Sequence, residues 1–476
     1  MQQLRVPAHR VDPEFKHKLR DSRNGDTLKY CYQCGTCSAA CPISRFIGTY
    51  RPNKILELAK LGIRNTPHSS AFLFCSACTV CTKGCPQNVR VHEVMHGLKD
   101  LADAGSYLAE GFDEAIRSLG REMPFPVVYS WLCLNPPEKS GGAYDDAVKN
   151  ALERAWQIPA LAPKKIPTGE AAKSVAIIGS GPAGLTAAWE LAKAGLAVIV
   201  FEYLQVLGGM LRTGIPSFRL PKGLVDAEIA KIRAMGVRMQ TGTLVDQSMF
   251  EELTQRYAAV FIASGASVSR KLRIDGAEQQ GVVTALNFLK KYNTTGSAEV
   301  GKNVVVIGGG NVATDAAGAA VRCGAESVKL FCLEDRSNMP AHQWEIEEAV
   351  ADGVEINPSW GPVSIVGDGE KVTGVEFVFC KSVLDGDGKF NPVYDEKRTQ
   401  TVEADTVITA IGQAPDLSFL SGDINTFGGV VRTDPYTMET NLPNVFAGGD
   451  AVMGTASLIE AIAAGKTAAG SILRYL

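Results

Sequence analysis

Residues 31–42 read CYQCGTCSAACP and residues 75–86 read CSACTVCTKGCP, so the spacing C-x2-C-x2-C-x3-C-P occurs twice, 44 residues apart. No other feature limits the fold as strongly. A run of four cysteines closed by a proline suits an iron-sulfur cubane: three neighbouring thiolates wrap it, and the proline stops local helix and turns the fourth outward. Zinc also accepts four thiolates, but its structural sites are built from two separated C-x2-C pairs. The chain holds 12 cysteines, and eight of them fall in these runs. Cys133, Cys323, Cys332 and Cys380 are scattered and read as packed thiols.

This is the spacing of bacterial ferredoxins, in which the fourth cysteine of each run ligates the other cluster. On that rule Cys31, Cys34, Cys37 and Cys85 hold one 4Fe-4S cluster, and Cys75, Cys78, Cys81 and Cys41 hold the second. Between the runs, RPNKILELAKLGI puts Ile55, Leu56, Leu58, Ala59 and Leu61 at helical spacing behind an expected cap at Asn53. A ferredoxin βαββαβ core would have strands there. The stretch from about residue 26 to 100 instead resembles the all-helical two-cluster module of the small iron-sulfur subunit of heterodisulfide reductases. That family's disulfide-cleaving cysteine-rich domains have no counterpart here. HEVMH at residues 92–96 matches a zinc-protease pattern, but no third ligand is recognisable and solvated helix is the better reading.

A chain of 476 residues suggests about three domains of roughly 150 residues each. The net charge of −3 offers no reason to expect nucleic acid or an anionic membrane as partner. No apolar run approaches the roughly 18 residues of a membrane span, and the first residues lack a signal-peptide core, so the expected location is cytoplasmic.

SVAIIGSGPAGLTAAWELAKAGLAVIVFE, residues 174–202, has a buried strand, three spaced glycines, a helix, a second strand and an acidic residue. With the whole βαβ context present, this is a dinucleotide fingerprint. Gly179 permits the tight turn, Gly181 lets a pyrophosphate approach the backbone, and Gly184 lets helix and strand pack closely. Pro182 and Ala183 open the helix whose N-terminus holds negative charge. Glu202 accepts from the adenosine ribose hydroxyls, and Gly209 belongs to the same FAD site. Near the C-terminus, NLPNVFAGGDAVMGTASLIEAI places Asp450 after an apolar strand and before a helix expected to start near Thr455. It resembles the stretch of two-dinucleotide flavoproteins in which such an aspartate binds the ribityl chain, and Thr455, Ala456 and Ser457 then form the helix start facing the flavin.

NVVVIGGGNVATDAA, from residue 303, is a second fingerprint, with Gly308, Gly310, Asn311, Val312 and Ala313 at the turn and helix start, and Glu334 after the following strand. Residues 171–476 look like the small subunit of bacterial glutamate synthase and the large subunit of NADH-dependent ferredoxin:NADP oxidoreductase. GGMLRTGIPSFRLPK, GGGNVATDAA, NMPA, TAIGQAPD and VFAGGD carry the likeness. Those relatives usually have paired arginines after the second strand of the nicotinamide domain, gripping a 2′-phosphate. Here Leu333 and Glu334 stand in their place, a carboxylate that accepts from a free 2′-hydroxyl, which favours NAD(H) over NADP(H), although Arg336 lies close by. The extra cluster cysteines of glutamate synthase reduce to Cys133 alone. Disulfide reductases of this fold carry a C-x4-C pair where this chain reads GGMLRTGI, so thiol chemistry is not expected.

The expected fold is multidomain, α plus α/β: an N-terminal helical two-cluster module (1–100), a helical adaptor and linker (101–170), an FAD domain in two parts (171–290 and 413–476), and an NAD(P) domain (291–412) inserted in it. Both nucleotide folds are Rossmann-like. The expected function is an NAD(P)H-dependent FAD/iron-sulfur oxidoreductase subunit, exchanging single electrons through two 4Fe-4S clusters with other iron-sulfur or flavin subunits of a redox complex, or with ferredoxin. The resemblance leaves room for an electron-bifurcating assembly. Alternatives are a glutamate-synthase-like small subunit and a non-catalytic electron-wiring scaffold. No acid or base side chain is required.

Overall fold

The structure is a computed structural model and describes residues 11–21, 25–45, 50–63, 71–75, 79–103, 116, 119–120, 123–126, 128–129, 173–420 and 422–476. Cys78, Cys133 and the proline-rich stretch around residues 135–172 lie outside the described residues.

The N-terminal module is helical: α1 (Phe15–Arg20), α2 (Thr36–Ala40), α3 (Pro52–Lys60), α4 (Val80–Lys83) and α5 (Val91–Asp103). Its described residues hold no strand, only an isolated bridge between Val11 and Ile63. The two cysteine runs fold alike. A 3-10 turn precedes each, Gly25–Tyr30 and Ala71–Phe74. A left-handed residue then starts a short helix, Gly35 before α2 and Thr79 before α4, and each short helix carries the third cysteine, Cys37 or Cys81. A β-branched residue is costly at φ of +61°, so Thr79 shows that the turn is imposed by its surroundings. The following longer helix returns a lysine to the first cysteine of each run. Lys60 Nζ donates to the Cys31 carbonyl at 3.0 Å, and Lys99 Nζ to the Cys75 carbonyl at 3.1 Å.

α3 begins with Pro52 at its first position, where a missing N–H costs nothing, and its N-cap is Arg51. Asn53 is therefore inside the helix. Its side chain accepts from Ser38 Oγ instead, tying α3 to α2. Ile55, Leu56 and Ala59 are buried, while Leu61 is exposed.

The chain continues through β1 (Ser174–Ile178), α6 (Pro182–Lys193), β2 (Ala197–Phe201), α7 (Lys222–Ala234), β3 (Arg238–Gln240) and β4 (Ala259–Ile262). Then follow β5 (Val282–Thr284), α8 (Ala285–Thr295), β6 (Asn303–Ile307), α9 (Asn311–Arg322), β7 (Ser327–Cys332), α10 (Gln343–Ala351) and β8 (Glu355–Pro358). The last elements are β9 (Trp360–Gly367), β10 (Val372–Leu384), β11 (Phe390–Glu403), β12 (Thr406–Thr409), β13 (Val445–Ala447), α11 (Asp450–Met453) and α12 (Leu458–Tyr475).

Two five-stranded sheets result, ordered β13-β4-β1-β2-β3 and β5-β12-β6-β7-β8, with every pairing parallel. In each, the fingerprint strand, β1 or β6, sits where successive strands depart to opposite sides, the switch point at which such sheets bind ligands. The second sheet is inserted in the first, since β13 returns from the C-terminal part. It starts at Val282, earlier than the boundary at residue 291 expected from sequence, because β5 pairs with β12. An antiparallel sheet, β9-β10-β11, extends this domain.

One apolar core runs without interruption from the module into the first sheet's domain, linking Leu19, Leu56, Phe74, Val94 and Tyr129 with Leu185, Val225 and Ile472. The nicotinamide-type domain has a separate core around Leu289, Val306, Ala316 and Leu330. Buried Glu228 on α7 strengthens the first junction, holding Lys231 Nζ at 3.1 Å and accepting from the backbone N–H of Phe125. α6 and α12 approach so closely that a Cβ on Gly465 would lie 2.2 Å from the Ala183 carbonyl oxygen.

Candidate functional site

The two fingerprints build the same turn. Gly179 has φ of +104° and Gly308 of +141°, and a Cβ would lie 2.3 Å from the Ala263 oxygen or 2.4 Å from the Ala410 oxygen. Only glycine fits beside the neighbouring strand. A Cβ on Gly184 would lie 2.1 Å from the Gly179 oxygen, while buried Ala313 takes the corresponding place in the second domain. Gly181 and Gly310 differ from these: a Cβ there meets nothing within 4 Å. Their open side faces the place where a pyrophosphate would approach, over the N-termini of α6 and α9.

Each acidic residue after the second strand folds back on its own fingerprint. Glu202, buried, accepts through one oxygen from the Ser180 backbone N–H at 3.0 Å and hydroxyl at 2.6 Å, and through the other from the Leu204 N–H at 2.9 Å. A Cβ on Gly309 would lie 2.9 Å from Glu334 Oε2. A carboxylate has about four acceptor positions, so Glu202 keeps capacity for ribose hydroxyls.

A cavity of about 790 Å³ lies over the first fingerprint. Gly179, Gly181, Pro182, Ala183, Glu202, Gly209, Asp450, Thr455, Ala456 and Ser457 all line it. A Cβ on Gly209 would lie 2.8 Å from the Gly181 Cα, so no side chain fits there. From the second domain, Asn311 and Val312 enter the same cavity, whereas Gly308, Gly310, Ala313 and Glu334 stand outside it. The helix expected to start near Thr455 begins at Leu458. Ser457 caps it in a reciprocal box with Glu460, which accepts from the Ser457 N–H at 2.8 Å and hydroxyl at 2.6 Å. Burial pushes the Asp450 carboxyl up to about 6, partly opposed by the Ala456 N–H that donates to it.

A buried charge cluster between the two nucleotide domains was not legible in the sequence. Arg219, just before α7, donates to Asp315 on α9 at 2.6 Å and to Glu348 on α10 at 2.9 Å, with Glu345 at 4.0 Å and the Trp344 ring 5.0 Å away. Arg219, Asp315, Trp344 and Glu345 line the cavity. One guanidinium faces three carboxyls, so they compete for one charge. Burial, then the Asp315 carboxylate, pushes Glu345 up to about 8, and its Oε2 has no hydrogen-bond partner among the described residues. Nearby, burial and Arg212 bring Lys222 down to about 7, its amino group donating to the Leu211 and Ile215 carbonyls.

In the module, Cys31, Cys34, Cys37 and Cys85 line one small cavity, with Pro86 and Asn53 beside them, so the fourth cysteine of the second run joins the first three of the other. Gln33 Nε2 donates to Cys31 Sγ at 3.3 Å, the Val89 N–H to Cys85 Sγ at 3.4 Å, and Cys34 Sγ lies 3.3 Å from Thr36 Oγ1. Cys41 is close enough to Cys75 to feel its charge, and with Cys81 both are buried. Burial, then neighbouring Cys31, pushes the Cys37 thiol up to about 11, and burial raises Cys41. Crowded thiols of this kind ionise together only with bound cations. Among the described residues no three His, Cys, Asp or Glu side chains converge on a single metal ion. The four sulfurs around one cavity fit a cubane better than a lone zinc.

His92 and His96 of the zinc-protease pattern lie on α5, both half-buried. His92 Nδ1 pairs with Thr82 Oγ1 at 2.8 Å, a structural contact that joins α5 to α4. Cys332 and Cys380 are buried, as expected of packed thiols, and Cys323 follows α9 half-buried.

Comparison with known proteins accords with this geometry. Residues 173–465 match the pyridine nucleotide-disulphide oxidoreductase family and residues 27–89 the 4Fe-4S dicluster domain. The chain belongs to the pyridine nucleotide-disulphide oxidoreductase family. It is an NAD(P)H-dependent FAD/iron-sulfur oxidoreductase. The NADP(+)-dependent formate dehydrogenase subunit beta of Moorella thermoacetica is 42% identical over 310 residues, 64% of this chain but only 44% of that protein. The NADPH-Fe(3+) oxidoreductase subunit beta of Geobacter sulfurreducens is 32% identical over 491 residues, 95% of this chain and 71% of the other. The glutamate synthase [NADPH] small chain of Azospirillum brasilense is 29% identical over 488 residues, covering 97% and 91%. The chain has no cysteine from Tyr203 to Arg322. Among the described residues no helix is long and apolar enough to cross a membrane.

Two outcomes are expected. Gly181→Ala, at φ −69°, is compatible with the backbone, so the apoprotein melts as the parent does; but its methyl group enters the cavity, and FAD titration followed by flavin fluorescence shows at least about tenfold weaker binding, roughly 1.4 kcal/mol. Because the folded state holds the Glu345 proton more tightly than the unfolded chain, this residue's contribution to stability is full below its ordinary 4.5 and lost as pH rises through about 8. The melting temperature of Glu345→Gln relative to the parent therefore rises across that window, and an unchanged difference contradicts the assignment.

Proposed function

We propose that this chain is the electron-transfer subunit of a larger redox enzyme, oxidising NADH at an FAD held over Gly179–Gly184 and passing single electrons through two 4Fe-4S clusters to a partner subunit or ferredoxin. FAD supplies hydride acceptance from a nicotinamide, and iron-sulfur clusters carry electrons one at a time. The observation that carries this reading is the common cavity: residues of both nucleotide folds line it, and Tyr129, from the segment joining the module to the flavin domain, lines it too.

Each part of the chain has a definable task. The Gly181 backbone and the N-terminus of α6 receive the FAD pyrophosphate, Glu202 the adenosine ribose, and Asp450 the ribityl chain, with Thr455, Ala456 and Ser457 presenting the N-terminus of α12 to the ring system. Gly308, Gly310, Asn311, Val312 and Ala313 form the corresponding turn for the nicotinamide dinucleotide. Cys31, Cys34, Cys37 and Cys85 ligate one cluster, and Cys75, Cys78, Cys81 and Cys41 the other. The module's continuous core with the flavin domain supports a fixed distance between flavin and clusters, whereas the nicotinamide domain has its own core and is joined through Arg219, through Phe218 packed on Tyr292, and through Asn293 donating to the Thr213 carbonyl.

Glu334 supports NADH as the donor, because its carboxylate lies beside Gly309 where a ribose 2′-hydroxyl can donate and a 2′-phosphate would be repelled. The relatives carry NADP in their names, and Arg336 supports that second reading. The subunit and small-chain names of the relatives support an assembly with further redox subunits, as in glutamate synthase or a bifurcating complex.

Anaerobic stopped-flow mixing decides the donor. NADH is expected to bleach the flavin absorbance with at least about tenfold higher kcat/KM than NADPH, about 1.4 kcal/mol of discrimination, and Glu334→Gln to narrow that ratio. A parent that prefers NADPH contradicts the role given to Glu334. Bound FAD that neither nucleotide bleaches would support the non-catalytic wiring scaffold.

A further inference from the structure

The antiparallel sheet β9-β10-β11 carries no part of either fingerprint, yet it reaches the two residues that follow β7. The chain leaves β8 at Pro358, which pairs with Cys332 at the end of β7, and turns through Ser359 into β9. Ser359 has φ of +66°, a left-handed conformation that costs free energy in a residue with a side chain and persists where the surroundings over-determine it. Two backbone hydrogen bonds hold it there. The Ser359 N–H donates to the Glu334 carbonyl at 2.8 Å, and the Cys380 N–H of β10 donates to the Ser359 carbonyl at 2.8 Å. The Glu334 backbone is thereby tied to the sheet, while its side chain reaches back to the fingerprint, where a Cβ on Gly309 would lie 2.9 Å from Oε2. Leu333 is fixed from the same direction. A Cβ on buried Gly361 of β9 would lie 2.9 Å from Leu333 Cδ2 and 2.7 Å from Tyr394 Cε1, so the leucine side chain and the tyrosine ring close on one point from two elements. Tyr394 of β11, 39% exposed, stands opposite buried Cys380 in the ladder. Neither Tyr394 nor Gly361 belongs to a nucleotide motif in the sequence.

We propose that Tyr394 and Gly361 are positioning residues that set dinucleotide choice: they hold Leu333 in the space that a side chain gripping a 2′-phosphate would need, and so leave Glu334 as the group that meets the adenosine ribose. This rests on the reading of Glu334 as the ribose contact. A longer, charged side chain at 333 must displace the Tyr394 ring or give up hydration against it, so a cation placed there by itself does not make a phosphate site. The two sites therefore act as a coupled pair, since the cost of a change at 333 depends on what stands at 394. Specificity for the ribose is in this way built by the third sheet as well as by the βαβ unit that carries the fingerprint.

The test uses the full chain with its cofactors and measures dissociation constants for NAD+ and NADP+ by calorimetry, because the oxidised nucleotides leave the oxidised flavin unreduced. The paired variants are made on a Glu334→Gln background, which removes the charge that repels a phosphate. On that background Leu333→Arg alone, or Tyr394→Val alone, is expected to change the NAD+/NADP+ affinity ratio by less than about threefold, and the two together to move it towards NADP+ by at least about tenfold. Valine at 394 keeps the strand propensity of the site. In the otherwise unchanged chain Gly361→Ala sets a methyl group against both side chains and is expected to weaken NAD+ at least about threefold with FAD retained. Tyr436→Val, at a site 84% exposed, is the control and changes neither constant. The proposal is overturned if Leu333→Arg gains NADP+ as fully without Tyr394→Val as with it, if the double variant holds FAD and NAD+ but gains nothing, or if Gly361→Ala binds NAD+ as the parent does. The Gly361→Ala arm decides alone where the double variant does not fold. A parent that prefers NADP+ refutes the role of Glu334 instead, and the coupling between 333 and 394, a ratio of ratios, is read separately from it.

Discussion

Burial of the module's apolar side against the first dinucleotide fold fixes everything that follows. Cysteine runs wrapped around short helices have little apolar surface to fold on, since α2 spans five residues and α4 four. Their geometry is held from outside, by α3 and α5 and by Leu56, Phe74, Val94 and Met95 in a core that continues to Leu185 and Val225 beneath the flavin-type fingerprint. Buried apolar area is non-directional, but here it is reinforced by directional contacts, Glu228 to Phe125 and Tyr129 to Phe74, that set the register of the joint. The consequence is a single apolar core shared by the module and the first dinucleotide fold.

The junction with the nicotinamide domain is of a different kind. The two domains have separate cores, and Arg219 crosses between them to Asp315 and Glu348. A buried ion pair of this sort contributes little net stability against an apolar alternative, yet losing one partner costs about 3–5 kcal/mol because a charge is left uncompensated. It therefore specifies an arrangement more than it strengthens it. Placing Arg219, Trp344 and Glu345 on the cavity wall puts that arrangement where the two dinucleotides would meet.

Features whose chemistry is written in local spacing were readable from sequence. The cysteine runs and the glycines at 179, 184 and 308 state their own turns, so both βαβ units and the helical module were legible. Features that depend on distant pairing were not. Nothing near Arg219 in the chain announces Asp315 or Glu345, and Tyr129 looks like an ordinary aromatic residue until folding sets its hydroxyl on the Phe74 carbonyl. Local rules also failed where tertiary contact overrode them. Asn53 looked like a helix cap but bonds Ser38, because Pro52 already begins the helix. The helix after Asp450 starts at Leu458, where Ser457 and Glu460 form a reciprocal capping box. Val282–Thr284 joins the second sheet through β12, more than a hundred residues away in sequence.

Elemental analysis with acid-labile sulfide on the anaerobically purified chain tests the central claim most directly. Two cubanes require about eight irons and about eight sulfides per chain alongside one FAD. About two zinc ions and no sulfide in their place would contradict it.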